Sequence, residues 1–272
     1  MSNLTPLRNF IQDPACDLGP NAWKLLDLVK TMRNKRMMDL GVRLGASSAI
    51  MSVEADKNKN QVCGCDLDYD GFFKNGRKFV TEDYTCYQAD SVTLGKNWDE
   101  DPFDLIFVDT IHTREQVLAE LYFWCAHLNE GGYFVFHDSH WDHTTKGDTI
   151  GGKEWRRVDV AITDFFNLPT NVMEMSEYED NDILLNHFPG SYGMTFIKVK
   201  TLDAIAPPVD PIVITPSTFL CLNNPIQTET EARGFDLRDS IGDSPSRITP
   251  SEATICIGKP VACSFAKRPS RI

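Results

Sequence analysis

Apolar positions along the chain alternate between two rhythms. Residues 21–34 (NAWKLLDLVKTMRN) place Trp23, Leu25, Leu26, Leu28 and Val29 at helical spacing behind Gly19-Pro20. RMMDLG at 36–41 is a short apolar run that predicts a first strand ending at a glycine. ASSAIMSVEA at 46–55 predicts a helix that starts at its serines, which are good N-caps. QVCGCDLD (61–68) and YTCYQADS (84–91) predict the second and third strands. FDLIFVDT (103–110) is a continuous apolar run of the kind buried on both faces. In REQVLAELYFWCAHL (114–128), Val117, Leu118, Leu121, Cys125 and Leu128 form one helical stripe, and Glu130-Gly131-Gly132 is expected to stop that helix. GYFVFHD (132–138) predicts a fifth strand and EWRRVDVAITDFFNL (154–168) a further amphipathic helix. NVMEMSEY (171–178) and YGMTFIKVK (192–200) predict two closing strands.

Strands that alternate with helices mean an α/β fold with a mainly parallel sheet, and two final strands without a helix between them mean an antiparallel hairpin at one edge. From about residue 201 the periodicity disappears, and nine of the fifteen prolines lie in 201–272. The expected organisation is an N-terminal helical lead-in at 1–34, a sheet domain at 35–200 and an irregular, proline-rich C-terminal extension at 201–272. There are no internal repeats.

Composition narrows the function. The 272 residues are 42% hydrophobic and 24% charged, as in ordinary globular proteins. No apolar run reaches the ~18 residues of a membrane span, and the first residues lack the basic start and apolar core of a leader peptide, so a cytoplasmic protein is expected. The net charge is −12, and no Lys/Arg cluster marks any face, which argues against nucleic acid or an anionic membrane as partner. The eight cysteines form no CxxC pair and read as reduced, buried thiols. The oligomeric state is open, a homo-oligomer included.

The stretch MMDLGVRLGASS (37–48) sits where the first strand ends. In open α/β sheets ligands bind at the carboxyl ends of strands. Gly41 and Gly45 remove Cβ atoms there, and Asp39, Ser47 and Ser48 surround them with polar atoms. The spacing is G-x-x-x-G, which fits neither a dinucleotide fingerprint nor a P-loop. The second strand ends at Asp66, where a carboxylate can bind ribose hydroxyls, and the third ends in Ala89-Asp90-Ser91. A second cluster follows strands four and five. Four of the six histidines fall in DTIH (109–112) and HDSHWDH (137–143), so Asp109, His112, His137, Asp138, His140, Asp142 and His143 can converge. Oxygen and imidazole ligands together suit a divalent metal.

The motifs DLGVRLGASS, GCDLD, QADS, FDLIFVDTIH and LNEGGYFVFHD, in this order and spacing, resemble those of class I S-adenosylmethionine-dependent methyltransferases. The branch they resemble is the metal-dependent small-molecule O-methyltransferases that act on sugars and macrolides, with cephalosporin-hydroxylase-like relatives. The resemblance spans roughly 35–200 and implies a Rossmann-like, seven-stranded sheet with a final antiparallel hairpin. It implies that Gly41 and Gly45 border the methionine part of the cofactor, that Asp66 holds the ribose and that Asp90 and Ser91 lie by the adenine. It also implies a divalent metal, Mg²⁺ or a transition metal, on Asp109 and Asp138, with His112 as general base. His137 stands where that family has a further acid, and a nitrogen ligand there favours a transition metal.

The expected reaction is methyl transfer from S-adenosylmethionine to a hydroxyl of a small molecule, a vicinal diol on a sugar or phenol. An alcohol is far more basic than imidazole, so a metal that acidifies the hydroxyl complements His112. Trp141 and Trp155 read as packing residues, with the lining of an acceptor pocket as the alternative. His140 and His143 read as loop residues. Two other functional classes fit the same residues: a metal-dependent hydroxylase or hydrolase on this fold, and a non-catalytic cofactor-binding module.

Overall fold

The computed structural model describes residues 5–141, 149–150, 153–154 and 156–202. The proline-rich extension beyond residue 202 lies outside the described residues, as do Asp142, His143 and Trp155. Five parallel strands form one half of the sheet: β1 (Arg36–Leu40), β2 (Gln61–Asp66), β3 (Thr85–Gln88), β4 (Phe103–Val108) and β5 (Leu128–His137). A two-stranded hairpin, β6 (Thr149–Ile150) and β7 (Lys153–Glu154), stands apart from it. Three strands, β8 (Glu177–Glu179), β9 (Ile183–Phe188) and β10 (Met194–Val199), complete the main sheet. Its order is β3-β2-β1-β4-β5-β10-β9-β8, with β10, β9 and β8 antiparallel to their neighbours.

Alternate residues of each central strand feed two cores, one on each face. Met37, Leu105, Phe107 and Val135 face a core built by α1 (Thr5–Ile11), α2 (Ala22–Thr31) and α3 (Ala46–Met51). Met38, Leu40, Ile106, Val108, Phe134 and Phe136 face the core that contains residues of α7 (Arg114–Trp124) and α8 (Val158–Phe165). This two-sided burial is why the strands read as unbroken apolar runs. Shorter helices, α4 (Ala55–Asn58), α5 (Asp70–Asn75) and α6 (Ser91–Lys96), fill the connections. Asp104, buried inside β4, accepts from Lys35 Nζ at 2.8 Å and the Arg36 N–H at 3.0 Å, so its charge is paired. No described helix is long and apolar enough to cross a membrane.

The α/β class, the parallel half and the antiparallel closing hairpin agree with the sequence reading. The details differ in three places. The strand expected over 171–178 is a 3₁₀ turn at Val172–Glu174, capped by Asn171, followed by the short edge strand β8. The partner of β10 is the unanticipated β9, which raises the strand count from seven to eight. Gly131 and Gly132 do not stop α7, which already ends at Trp124. They lie in a bulge of β5, where the register against β4 shifts between Phe103 and Leu105 and Gly131 takes φ +78°.

β1 and β4 are neighbours but not consecutive, so the winding of the sheet reverses between them. Such a reversal opens a crevice at the carboxyl ends of the two strands. Gly41 and Asp109 occupy those ends.

Candidate active site

Gly41 answers to packing. Its φ is +90°, and a Cβ there would lie 2.0 Å from the Asp109 carbonyl oxygen. The missing side chain lets the two strand ends close on each other, with the Asp109 N–H bonded to the Leu40 carbonyl at 2.8 Å. Gly45 has φ +87°, and its Cβ position is filled by the Phe72 ring of α5. Gly45 itself caps α3. Ser47 and Ser48, expected as N-caps, instead point back into the protein. Both hydroxyls donate to Asp39 Oδ2, Ser47 at 2.7 Å, and Ser48 also meets the Tyr84 hydroxyl at 2.7 Å. Asp39 is fully buried, and burial raises its pKa to about 7 against the pull of the two serine hydroxyls. Asp39 and Ser48 therefore form the internal bracket of the corner. Ser47, Gly41 and Asp109 line a hollow above it, closed from the other side by Ala15, Cys16 and Leu18.

Asp66, at the end of β2, accepts the Arg43 N–H at 2.7 Å and the Asp68 N–H at 3.2 Å. Burial raises its pKa above the ordinary carboxylate value against these backbone donors. Asp90 caps α6 by accepting the Thr93 N–H at 2.7 Å. Ser91 turns inward and donates to Glu120 of α7. Glu120, unanticipated from the sequence, is completely buried and also accepts from Thr110 Oγ1 at 2.7 and 3.0 Å and from Gln116 Nε2 at 2.9 Å. Burial lifts its pKa to about 7 against these donors. One carboxylate thus ties the end of β3 to the loop after β4. The signal for it was an acid on the same helical stripe as Val117, Leu121 and Trp124, where an unpaired charge has no place.

The second cluster converges. His112 Nε2 lies 3.2 Å from Asp109 Oδ1 and 3.0 Å from Asp138 Oδ2. His137 Nδ1 lies 3.3 Å from Asp109 Oδ1 and 3.4 Å from Asp138 Oδ1. Each imidazole bridges both carboxylates. Asp138 reaches this position through a left-handed backbone, φ +54°, directly after β5. Burial acts to raise the Asp109 pKa, but the charge of His137 and the bonds from both imidazoles outweigh it and hold the group well below the usual range. His137 moves the other way: burial would lower its pKa, and Asp109 overrides that and raises it to about 9. His112 is likewise raised by Asp138 and Asp109 against burial. Asp138 is raised, because burial exceeds the attraction of His112 and His137.

The donor set fits a divalent cation. One ligand atom from each of Asp109, His137 and Asp138 falls within 4.8 Å of the others. His137 Nε2 and Asp138 Oδ1 are buried without a hydrogen-bond partner among the described residues, which is costly unless something else engages these groups. The three expected ligands are thus gathered, with His112 against two of them. His140 is directed elsewhere: its Nδ1 meets His187 Nε2 at 2.9 Å, and His187 Nδ1 meets Thr195 Oγ1 at 2.8 Å. Burial lowers the His187 pKa to about 4, so the His187 imidazole is neutral at pH 7. Trp141 stacks on Tyr192 at 4.0 Å and carries the Arg156 guanidinium over its ring at 3.8 Å, in keeping with its reading as a packing residue.

A protein-family profile described as a methyltransferase domain matches residues 38–139, the segment from β1 to the residue after Asp138. No curated protein matches the chain in sequence. Among solved structures, the fold is similar to a protein assigned as an O-methyltransferase from Klebsiella pneumoniae, with TM-score 0.51, 17% identity, and 72% of this chain and 90% of that one covered. It is also similar to the methyltransferase PaMTH1 of Podospora anserina, determined with S-adenosylhomocysteine, at TM-score 0.52, 16% identity and coverage of 72% and 88%. A protein assigned as a caffeoyl-CoA O-methyltransferase from Staphylococcus aureus gives 0.52, 12%, and 73% and 93%. Residues 38–139 thus match a methyltransferase domain, and the chain shares its fold with solved methyltransferases.

Proposed function

We propose that this enzyme moves the methyl group of S-adenosylmethionine to a hydroxyl oxygen of a small molecule, with a divalent cation on Asp109, His137 and Asp138. The observation that carries the reading is the meeting of two carboxylates and two imidazoles at the ends of β4 and β5, beside the Gly41 corner. The cofactor would lie along the strand ends, its amino-acid part in the hollow by Gly41 and Ser47, its ribose at Asp66 and its adenine near Asp90. S-adenosylhomocysteine in the Podospora enzyme of similar fold supports the choice of cofactor.

The sulfonium methyl is already activated, so the protein must place an acceptor oxygen in line with it and take that oxygen's proton. A cation held by the three ligands supplies Lewis acidity that lowers the acceptor hydroxyl's pKa, and it suits an acceptor with two adjacent hydroxyls. His112, against both carboxylates, would receive the proton. The test is incubation of the purified protein with S-adenosylmethionine labelled in the methyl group and a panel of sugar and phenolic diols, with and without chelator. Methyl transfer to a diol that stops on chelation is expected. Transfer that proceeds unchanged in chelator would remove the metal from the reading, and transfer to no hydroxyl compound would remove the acceptor class.

A further inference from the structure

A chain of polar side chains runs through the core beside Asp138. The Thr195 hydroxyl of β10 donates to Ser139 Oγ at 2.7 Å. That uses its one proton, so its 2.8 Å contact with His187 Nδ1 is a donation from the ring. His187 Nε2 is then the acceptor for the His140 Nδ1–H at 2.9 Å. Burial first, and then the neighbouring His140, lower the His187 pKa to about 4, which keeps the ring in the form with one donor and one acceptor. Ser139, Thr195 and His187 are all buried. Polar groups in a core must all be satisfied at once, a demand that apolar residues of the same size would not make.

The two ends of this chain are Ser139 and His140, the residues that follow Asp138. Asp138 itself leaves β5 in a left-handed conformation, φ +54°. Aspartate tolerates that conformation better than most residues, but it persists only where the surroundings dictate it. Here the surroundings are one hairpin, β9–β10. His137 pairs with Met194 in the sheet, on the near side of Asp138. On the far side Ser139 is bonded to Thr195, and the His140 N–H donates to the Tyr192 carbonyl at 2.6 Å. Gly193, φ +88°, lets the hairpin close on this segment, since a Cβ there would collide with the His140 backbone. The residues on both sides of Asp138 are thus fixed to the hairpin, while its own carboxylate meets His112 Nε2 at 3.0 Å.

We infer that Thr195 and Ser139 are positioning residues: their bond holds the backbone after β5 so that the Asp138 carboxylate stays beside Asp109 and His137 to ligate the cation. The inference rests on the metal reading proposed above. A ligand must be held within about 0.5 Å of its working position by residues that are themselves locked in place. The first residue past a strand has lost its ladder partner on one side and is free to swing there. The Thr195–Ser139 bond removes that freedom, and His187 and His140 lock the Thr195 hydroxyl in turn. Without the bond, residue 138 can relax to a negative φ and carry its carboxylate out of the ligand set.

The test is equilibrium dialysis of the full chain against Mn²⁺, with a thermal melt of each variant. The binding that Asp138→Ala loses defines the site. Thr195→Val keeps the shape and removes the hydroxyl, and should weaken that binding by about 10- to 100-fold, the usual effect of losing an outer partner of a metal site. Thr195→Ser keeps the hydroxyl and should stay within about threefold of the wild type. Ser139→Ala removes the other end of the bond with a smaller change and should weaken binding by about tenfold. It decides the matter if Thr195→Val does not fold. Val199→Ala, buried at the opposite end of β10, is the stability control: its melting temperature should fall while its Mn²⁺ affinity stays at the wild-type value. Full wild-type affinity in either folded variant, Thr195→Val or Ser139→Ala, overturns the inference and leaves the metal site standing. An equal loss in Thr195→Ser also overturns it, because shape and not the hydroxyl would then be the cause. An equal loss in Val199→Ala overturns it in favour of general stability. A wild type that binds no Mn²⁺, or binds it unchanged in Asp138→Ala, overturns the metal reading itself, and the inference with it.

Discussion

Glu120 offers the sharpest quantitative test, because its carboxyl group is buried with no cation beside it among the described residues. The carboxylate is 0% exposed and is held by hydroxyl and amide donors from Ser91, Thr110 and Gln116. Burial raises its pKa from 4.5 to about 7 in the folded chain. Between those two values the folded protein keeps a proton that the unfolded chain releases. Stability from this group therefore falls as pH rises through that window. At about 1.4 kcal/mol per pH unit, the full window corresponds to about 3 kcal/mol. Glu120→Gln keeps the shape and cannot ionise. Near pH 5 the variant and the wild type should differ by about 1 kcal/mol or less, the scale of one rearranged neutral hydrogen bond. By pH 7.5 the variant should have gained about 2–3 kcal/mol on the wild type. Urea unfolding of both proteins at half-unit steps of pH, with the slope m held common, measures the difference. Other titrating groups cancel in the comparison. Two stability curves that run parallel from pH 5 to pH 7.5 would refute the argument, and would mean that the hydroxyl and amide donors keep Glu120 ionised at no net cost.

Gly41→Ala should be among the most damaging small substitutions, since its Cβ would sit 2.0 Å from the Asp109 carbonyl at φ +90°. A loss of about 2–5 kcal/mol is expected from the combined clash and left-handed strain, read as a lower melting temperature. Asp138→Ala should abolish tight binding of a divalent cation in equilibrium dialysis while the far-ultraviolet dichroism stays native; unchanged binding would discard Asp138 as a ligand. His112→Ala should lower methyl transfer by about 10²–10⁴-fold with little change in cofactor affinity, and normal turnover would discard it as the base. A chain that ends at residue 202 should still unfold in one cooperative transition, because β10 is complete at Val199 and Lys200 already closes on Glu179 at 2.7 Å; loss of that transition would place part of the extension in the fold.

Much of the scaffold is legible in the sequence for one physical reason. A strand buried on both faces needs apolar residues without interruption, and FDLIFV has them except for Asp104, which Lys35 neutralises from outside the sheet. β9 hid because its inward face ends in a histidine. Ile183, Leu185 and His187 all point to the interior, and His187 is tolerated there only because Thr195 and His140 satisfy both ring nitrogens. Val172, Met173 and Met175 misled in the opposite sense: Asn171 accepts the Met173 N–H and bends them into a turn before they can pair.

The site divides along the same line between local and distant contacts. Asp109, His112, His137 and Asp138 sit within a few residues of two strand ends, and neighbouring parallel strands bring their ends together, so position in the chain almost determines position in space. Glu120 reaches Ser91 across 29 residues and Arg43 reaches Asp17 across 26, and no periodicity announces such pairs. The glycine corner belongs to both groups. Its spacing suggests room for a ligand, yet the space at Gly41 is taken by the Asp109 backbone and that at Gly45 by Phe72. Gly41 brings β1 against β4 and so carries Asp109, with the carboxylate and imidazoles around it, to the edge of the hollow. A side chain at residue 41 would push the two clusters apart. The residue that looks like a contact for the cofactor therefore acts first on the distance between the cofactor's corner and the group that is to work beside it.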